Sequence, residues 1–212
     1  MPALCRQFGG ASDMHDFARY NITTGSYPAP FIWFRVAKTG TRTVLNVLRE
    51  EGVGFDIEQG FNMPAPRSEY FEHFSFTFVR NPYARLISGW TDKVINQAPG
   101  GGLKRVRENL RDFDQFVAWL VDQDPTSINI HFRPQSFLIP NQVDFVGRTE
   151  TLSNDLRAVL LRLSLPAGRK IPRKNASGPP PLSIRDVTPR TRYSIDQLYR
   201  LDFERFGYAM QD

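Results

Sequence analysis

The sequence predicts an α/β domain of three layers, with a mainly parallel central sheet flanked by helices. Two segments carry that expectation: residues 31–48 (FIWFRVAKTGTRTVLNVL) and residues 74–90 (FSFTFVRNPYARLISGW). Each runs from a short β-branched and aromatic stretch, through a basic turn, into apolar residues at helical spacing. A parallel sheet delivers side chains to the carboxyl ends of its strands in this way. Length agrees, since 212 residues that are 41% hydrophobic and 13% aromatic suffice for one core.

In the first segment Phe31, Ile32, Trp33, Phe34 and Val36 form a nearly continuous apolar run, the pattern of a strand buried on both faces. Val44, Leu45, Val47 and Leu48 then recur at helical spacing. Between them lies Ala37-Lys38-Thr39-Gly40-Thr41-Arg42-Thr43. At a strand-to-helix junction the first helical N–H groups lack carbonyl partners, and Gly40 allows close backbone approach. Thr39, Thr41 and Thr43 add hydroxyl donors, while Lys38 and Arg42 add positive charge. The loop is of the phosphate-binding kind but is not a Walker A motif. GxxxxGK[ST] places its lysine after the glycines, and Lys38 precedes the only glycine of this loop.

In the second segment Phe74, Phe76, Phe78 and Val79 predict a strand that Arg80-Asn81-Pro82 ends. Pro82 suits the first helical position, where its missing N–H is no loss, and Leu86, Ile87 and Trp90 supply the apolar side. Ser88 lies eight residues after Arg80, about two helical turns, so one anion meets both only if the ligand runs along that helix. Two basic turns of this type imply a ligand with two anionic ends.

Residues 1–28 are polar and weakly patterned and are expected to form a loosely structured leader, with one domain over 29–212. A helix is expected around Leu110–Val121, starting near Asp112 or Asp114, and a strand over Val143–Thr149. A helix capped by Thr149 or Thr151 should run through Leu163. Residues 164–190 hold six prolines together with Arg169, Lys170, Arg173, Lys174 and Asn175, and predict a basic, Pro-rich lid or substrate loop. A final helix is expected over Ser194–Phe206.

The net charge is +5, from 27 basic and 22 acidic residues. That surplus fits anionic ligands and selects none. No run of five or six like charges is present, which argues against nucleic acid as a partner. Cys5 is the only cysteine, so no internal disulfide forms and a reducing compartment is the simpler assumption. No stretch approaches ~18 apolar residues, so membrane insertion is not expected and a cytoplasmic location is.

The pairing of VAKTGTRT with FVRNPYARLISGW resembles the sulfotransferases, most closely the carbohydrate sulfotransferases related to the HNK-1 and heparan sulfate enzymes. Residues 131–156 (HFRPQSFLIPNQVDFVGRTETLSNDL) and 201–208 (LDFERFGY) are similar to that family's later blocks, in the same order. The likeness therefore covers about Phe31 to Tyr208. Where secreted members commonly carry cysteines around the third block, this chain has Phe137, Leu138, Ile139 and Pro140.

The resemblance implies a P-loop-like fold and sulfuryl transfer from 3′-phosphoadenosine 5′-phosphosulfate (PAPS) to a hydroxyl acceptor, a carbohydrate or glycoconjugate. It implies that Lys38, Thr39, Gly40, Thr41, Arg42 and Thr43 grip the 5′-phosphosulfate, with Lys38 also catalytic, and that Arg80 and Ser88 hold the 3′-phosphate. No metal is required, and the chain has no HExxH motif or cysteine-histidine cluster. The acceptor hydroxyl needs a base. His131 is taken for it, against a purely structural role, with His15, His73, Glu58, Glu69 and Glu72 as further candidates. Two other readings stand beside this one: a P-loop nucleotide-dependent kinase or phosphotransferase, and a noncatalytic module binding anionic glycans.

Overall fold

The computed structural model describes residues 19–25, 28–58, 70, 72–96, 108–168, 171 and 182–211. In chain order these form β1 (Tyr20–Thr23), β2 (Phe31–Phe34), α1 (Thr41–Glu50), β3 (Ile57–Glu58), β4 (Phe74–Val79) and α2 (Pro82–Trp90). A π-helical stretch, Thr91–Ile95, prolongs α2; then come α3 (Phe113–Val121), β5 (Phe145–Arg148), α4 (Leu152–Arg162), α5 (Pro189–Leu198) and α6 (Arg200–Phe206). The chain divides into two compact units, Met1–Val79 with Phe137–Lys174, and Arg80–Ser136 with Asn175–Asp212.

The first unit holds a five-stranded sheet in the order β3-β1-β2-β4-β5. Strands β2, β4 and β5 are parallel, with Trp33 opposite Phe76 and Phe78 opposite Gly147, but β1 runs antiparallel to both β2 and β3. The expected mainly parallel sheet is thus corrected to a partly parallel one. Residues 24–30 connect β1 to β2, too few for the crossover of a dozen or more residues that parallel neighbours require. Part of the stretch expected as a loose leader, Tyr20–Thr23, is a fully buried strand of the sheet, while residues 1–18, with Cys5 and His15, lie outside the described residues. Among the described residues no helix is long and apolar enough to cross a membrane.

The pleat explains why β2 is apolar throughout. Phe31 and Trp33 join Phe76 and Phe78 of β4 on one face, under Val44, Val47 and Leu48 of α1 and Leu156, Val159 and Leu160 of α4. Ile32 and Phe34 point the other way and pack with Tyr20 and Ile22 of β1. A clasp fixes the start of the β4–β5 ladder. The Asp144 carboxylate accepts from the Ser75 N–H at 2.8 Å and its hydroxyl at 2.7 Å, and the Asp144 N–H donates back to that hydroxyl at 3.0 Å. These donors, the Ser75 side chain first, hold the Asp144 carboxyl below the usual aspartate range. A depressed folded-state value contributes stability that is present above the unfolded aspartate pKa of about 3.9 and is lost as pH falls through the folded one. Asp144→Asn is therefore expected to lower stability by a constant amount at neutral pH, with the gap from wild type closing below about pH 4. Denaturant titrations across pH check this, and a gap independent of pH refutes it.

The second unit is helical. Tyr83, Leu86 and Trp90 of α2 and Phe113, Phe116 and Leu120 of α3 pack with Phe132, with Ile195 of α5 and Phe203 of α6, and with Tyr199 between those two helices. Asp112 caps α3 as expected, accepting from the Gln115 N–H at 2.9 Å. The expected final helix is two helices that break at Tyr199, where the buried ring sends its hydroxyl to the Phe132 carbonyl. The first of them already begins at Pro189, with Thr188 as its cap. Of the predicted basic loop, Arg169, Lys170, Arg173, Lys174 and Asn175 lie outside the described residues.

Candidate active site

Beyond β2 the chain runs through Arg35 and Val36 into a turn in which Lys38 and Gly40 both have positive φ, 72° and 84°. For lysine this left-handed backbone carries a cost of roughly 1–2 kcal/mol. Such outliers persist where the surroundings over-determine them, and functional loops are common places for that. The surroundings here are specific. The Val36 carbonyl, past the end of the ladder, accepts the Thr39 hydroxyl at 2.9 Å and the Thr41 hydroxyl at 2.8 Å. Two hydroxyls expected to donate to a ligand thus direct their protons back into the turn and set its shape.

Gly40 is the N-cap of α1 and takes the Thr43 N–H on its own carbonyl at 2.9 Å. The N–H groups of Thr41 and Arg42 head the helix, where no preceding turn supplies carbonyls, so they form the polarised end that favours an anion. Thr43 is buried, Lys38 half-buried, and Arg42 exposed. Sequence reading missed Leu152: a Cβ on Gly40 would lie 2.8 Å from its Cδ2, so α4 closes the space behind the turn.

In the second unit Arg80 lies two residues before α2 and Ser88 two turns along it, both half-buried. Asn81 caps the helix, its side chain accepting from the N–H groups of Tyr83 and Ala84 at 3.1 and 3.2 Å. Gln135, which sequence reading also missed, holds Arg80 by both main-chain groups. Its Oε1 accepts from the Arg80 N–H, and its Nε2 donates to the Arg80 carbonyl, each at 2.9 Å. Asp202, wholly buried, accepts from the N–H groups of Gln135 at 2.8 Å and Ser136 at 2.7 Å. Burial pushes the Asp202 carboxyl up, while the Ser136 N–H, the Arg85 guanidinium and the Gln135 N–H pull it back. Arg85, also buried, donates to the carbonyls of Arg133 at 2.8 Å and Ile130 at 3.0 Å.

The same turn carries His131. Asn129 Oδ1 accepts from the His131 main-chain N–H at 3.0 Å and lies 2.7 Å from its Nδ1. The main-chain donor fixes which end of the amide is the oxygen, and an amide oxygen only accepts. In the neutral ring Nδ1 therefore carries the hydrogen and Nε2 is the basic nitrogen. This turn packs on α2 beside Ser88, since a Cβ on Gly89 would lie 3.1 Å from the His131 carbonyl oxygen and 3.0 Å from the Phe132 ring.

The other acid-base candidates are placed differently. Glu58 faces Arg49 at 3.1 Å and Arg35 at 3.5 Å. His73 packs edge-on against Tyr70, Glu72 is exposed, and Glu69 lies outside the described residues. Among the described residues no three His, Cys, Asp or Glu side chains gather as a metal ion would need.

A strand-loop-helix turn with its lysine ahead of the glycine, and an Arg-Asn-Pro turn opening a second helix, define one class. The chain belongs to the sulfotransferase family, which it matches over residues 24–209. It is 26% identical to carbohydrate sulfotransferase 14 of Danio rerio over 207 residues, covering 84% of this chain and 56% of that protein. The Mus musculus protein of the same name is 29% identical over 170 residues, covering 65% and 43%, and Homo sapiens carbohydrate sulfotransferase 9 is 30% identical over 163, covering 62% and 37%. The chain thus spans about half, or less, of the length of these relatives. No solved structure matches it.

Proposed function

We propose that the chain transfers a sulfuryl group from PAPS to a hydroxyl of a carbohydrate or glycoconjugate, on a three-layer P-loop-like fold. The observation that carries this is the Lys38–Thr43 turn, with its left-handed Lys38 and Gly40 and the leading N–H groups of α1. Family membership supports the reaction class, and the relatives' names support the acceptor class.

The residues fit the donor's chemistry. When bound, PAPS supplies a sulfuryl group on a phosphate oxygen. The Thr41 and Arg42 N–H groups, with Lys38 and Arg42, bind the phosphosulfate end, and Thr39, Gly40 and Thr43 hold the turn in shape for it. Lys38 stabilises the negative charge that gathers on the bridging oxygen as the bond to sulfur breaks. Arg80 and Ser88 bind the 3′-phosphate. His131 takes the acceptor proton at Nε2, the position its bond to Asn129 leaves basic.

Calorimetric titration with 3′-phosphoadenosine 5′-phosphate, against ATP with Mg²⁺, tests the reading. Metal-independent binding that discriminates against ATP is expected, weakened at least about tenfold in Arg80→Ala by loss of a charge-assisted contact. Preference for Mg-ATP overturns it in favour of a kinase. Donor binding without turnover on any glycan favours the binding module, and unaltered affinity in Arg80→Ala removes Arg80 from the site.

A further inference from the structure

The geometry points to Gln135, braced by the buried carboxylate of Asp202, as the positioning residue for Arg80. This rests on the reading above, in which Arg80 binds the donor's 3′-phosphate. Arg80 stands between two regular elements, one residue past the end of β4 and two before α2. Its N–H and carbonyl have left the ladder and have not entered the helix, so neither element pairs them by its own pattern. The Gln135 carboxamide does so, presenting an acceptor and a donor to one residue as a neighbouring strand would. With the main chain gripped at both groups, the direction in which the Arg80 side chain leaves it is set.

The grip is itself held. Asp202 takes the Gln135 N–H at 2.8 Å and stands 3.3 Å from its Nε2. That second contact orients the amide, because a carboxylate oxygen accepts and so requires the NH₂ end on its side. Arg205 donates to the Ser136 carbonyl at 3.1 Å, and Arg85 donates to the Ile130 and Arg133 carbonyls. The turn bearing Gln135 is therefore tied to α2 and α6 by three charged side chains, two of them, Arg85 and Asp202, fully buried, and little slack is left to pass to Arg80. The two conspicuous late blocks of the sequence, around Gln135 and around Asp202, meet in this one arrangement.

The test is Gln135→Met, which keeps the volume and removes both amide functions, with binding read for two ligands. 3′-Phosphoadenosine 5′-phosphate carries the 3′-phosphate and adenosine 5′-phosphate does not. The expected result is about tenfold weaker binding of the first with the second unchanged. In an Arg80→Ala background the same substitution should add nothing, because its effect passes through Arg80. Asp202→Asn supplies a second route with the same ligand-selective loss, should Gln135→Met fold poorly. Equal weakening of both ligands, or an undiminished effect in the Arg80→Ala background, makes Gln135 a merely structural residue and overturns the inference. If Arg80→Ala weakens the bisphosphate and Gln135→Met does not, positioning fails and the donor site stands. If Arg80→Ala has no effect, the donor-site assignment fails first.

Discussion

Lys38→Ala is expected to lower turnover by a factor of about 10²–10³, the usual consequence of removing one group aimed at developing charge. The loss should lie in kcat. In the proposed site the leading N–H groups of α1 and Arg42 would meet most of the donor's ground-state phosphate charge, and the contact of Lys38 would strengthen as charge grows on the bridging oxygen. Binding of 3′-phosphoadenosine 5′-phosphate should therefore fall much less than turnover. Stability offers an internal control: alanine at φ 72 meets the same left-handed backbone penalty as lysine, so thermal unfolding should move little. Lys38→Arg keeps the charge but spreads it over a planar fork, and should recover only part of the rate. Turnover unchanged in Lys38→Ala would withdraw the catalytic role from this residue.

The parts of the fold legible in the sequence are those whose signal is local. FIWF and FSFTFV read as buried strands because both faces are apolar, and Asn81-Pro82 and Asp112 read as helix starts because capping is settled within four residues. β1 was not legible: in YNIT two of four residues are polar, yet Asn21, which accepts from Arg35 at 3.0 Å, and Thr23 are both buried in the fold. The break at Tyr199 was hidden too, since the side chain there is placed by distant partners, its hydroxyl donating to a carbonyl 67 residues away in sequence.

The candidate site divides along the same line. The composition of the Lys38–Thr43 loop predicts an anion site, but nothing in that composition says that Thr39 and Thr41 donate to Val36 rather than outward. Nothing local in LDFERFGY sets Asp202 apart from Glu204, which is exposed on the same helix. The burial of Asp202 against main-chain donors from Gln135 and Ser136 is a tertiary fact, and the support of Arg80 follows from it.

Gly40→Ala is expected to destabilise the first unit by about 1–3 kcal/mol, from two separable causes. One is backbone: φ 84 is a left-handed conformation that any Cβ disfavours. The other is space, because the new Cβ would lie 2.8 Å from Leu152 Cδ2, closer than carbon atoms approach without displacement. Leu152 packs against the core that joins α1 and α4, so moving it loosens contacts behind the turn. Truncating it separates the causes: in Leu152→Ala the steric part should vanish and the backbone part remain, so the double variant should be more stable than the summed single losses predict. Gly40→Asn gives the complementary view, since asparagine tolerates the left-handed region but still carries the clashing Cβ. Denaturant unfolding of the three variants and the double mutant measures both contributions. Additive losses would remove Leu152 as the wall behind the turn. A neutral Gly40→Ala would mean that the left-handed turn does not set the entry into α1, and the alignment of the Thr41 and Arg42 N–H groups would then need another cause.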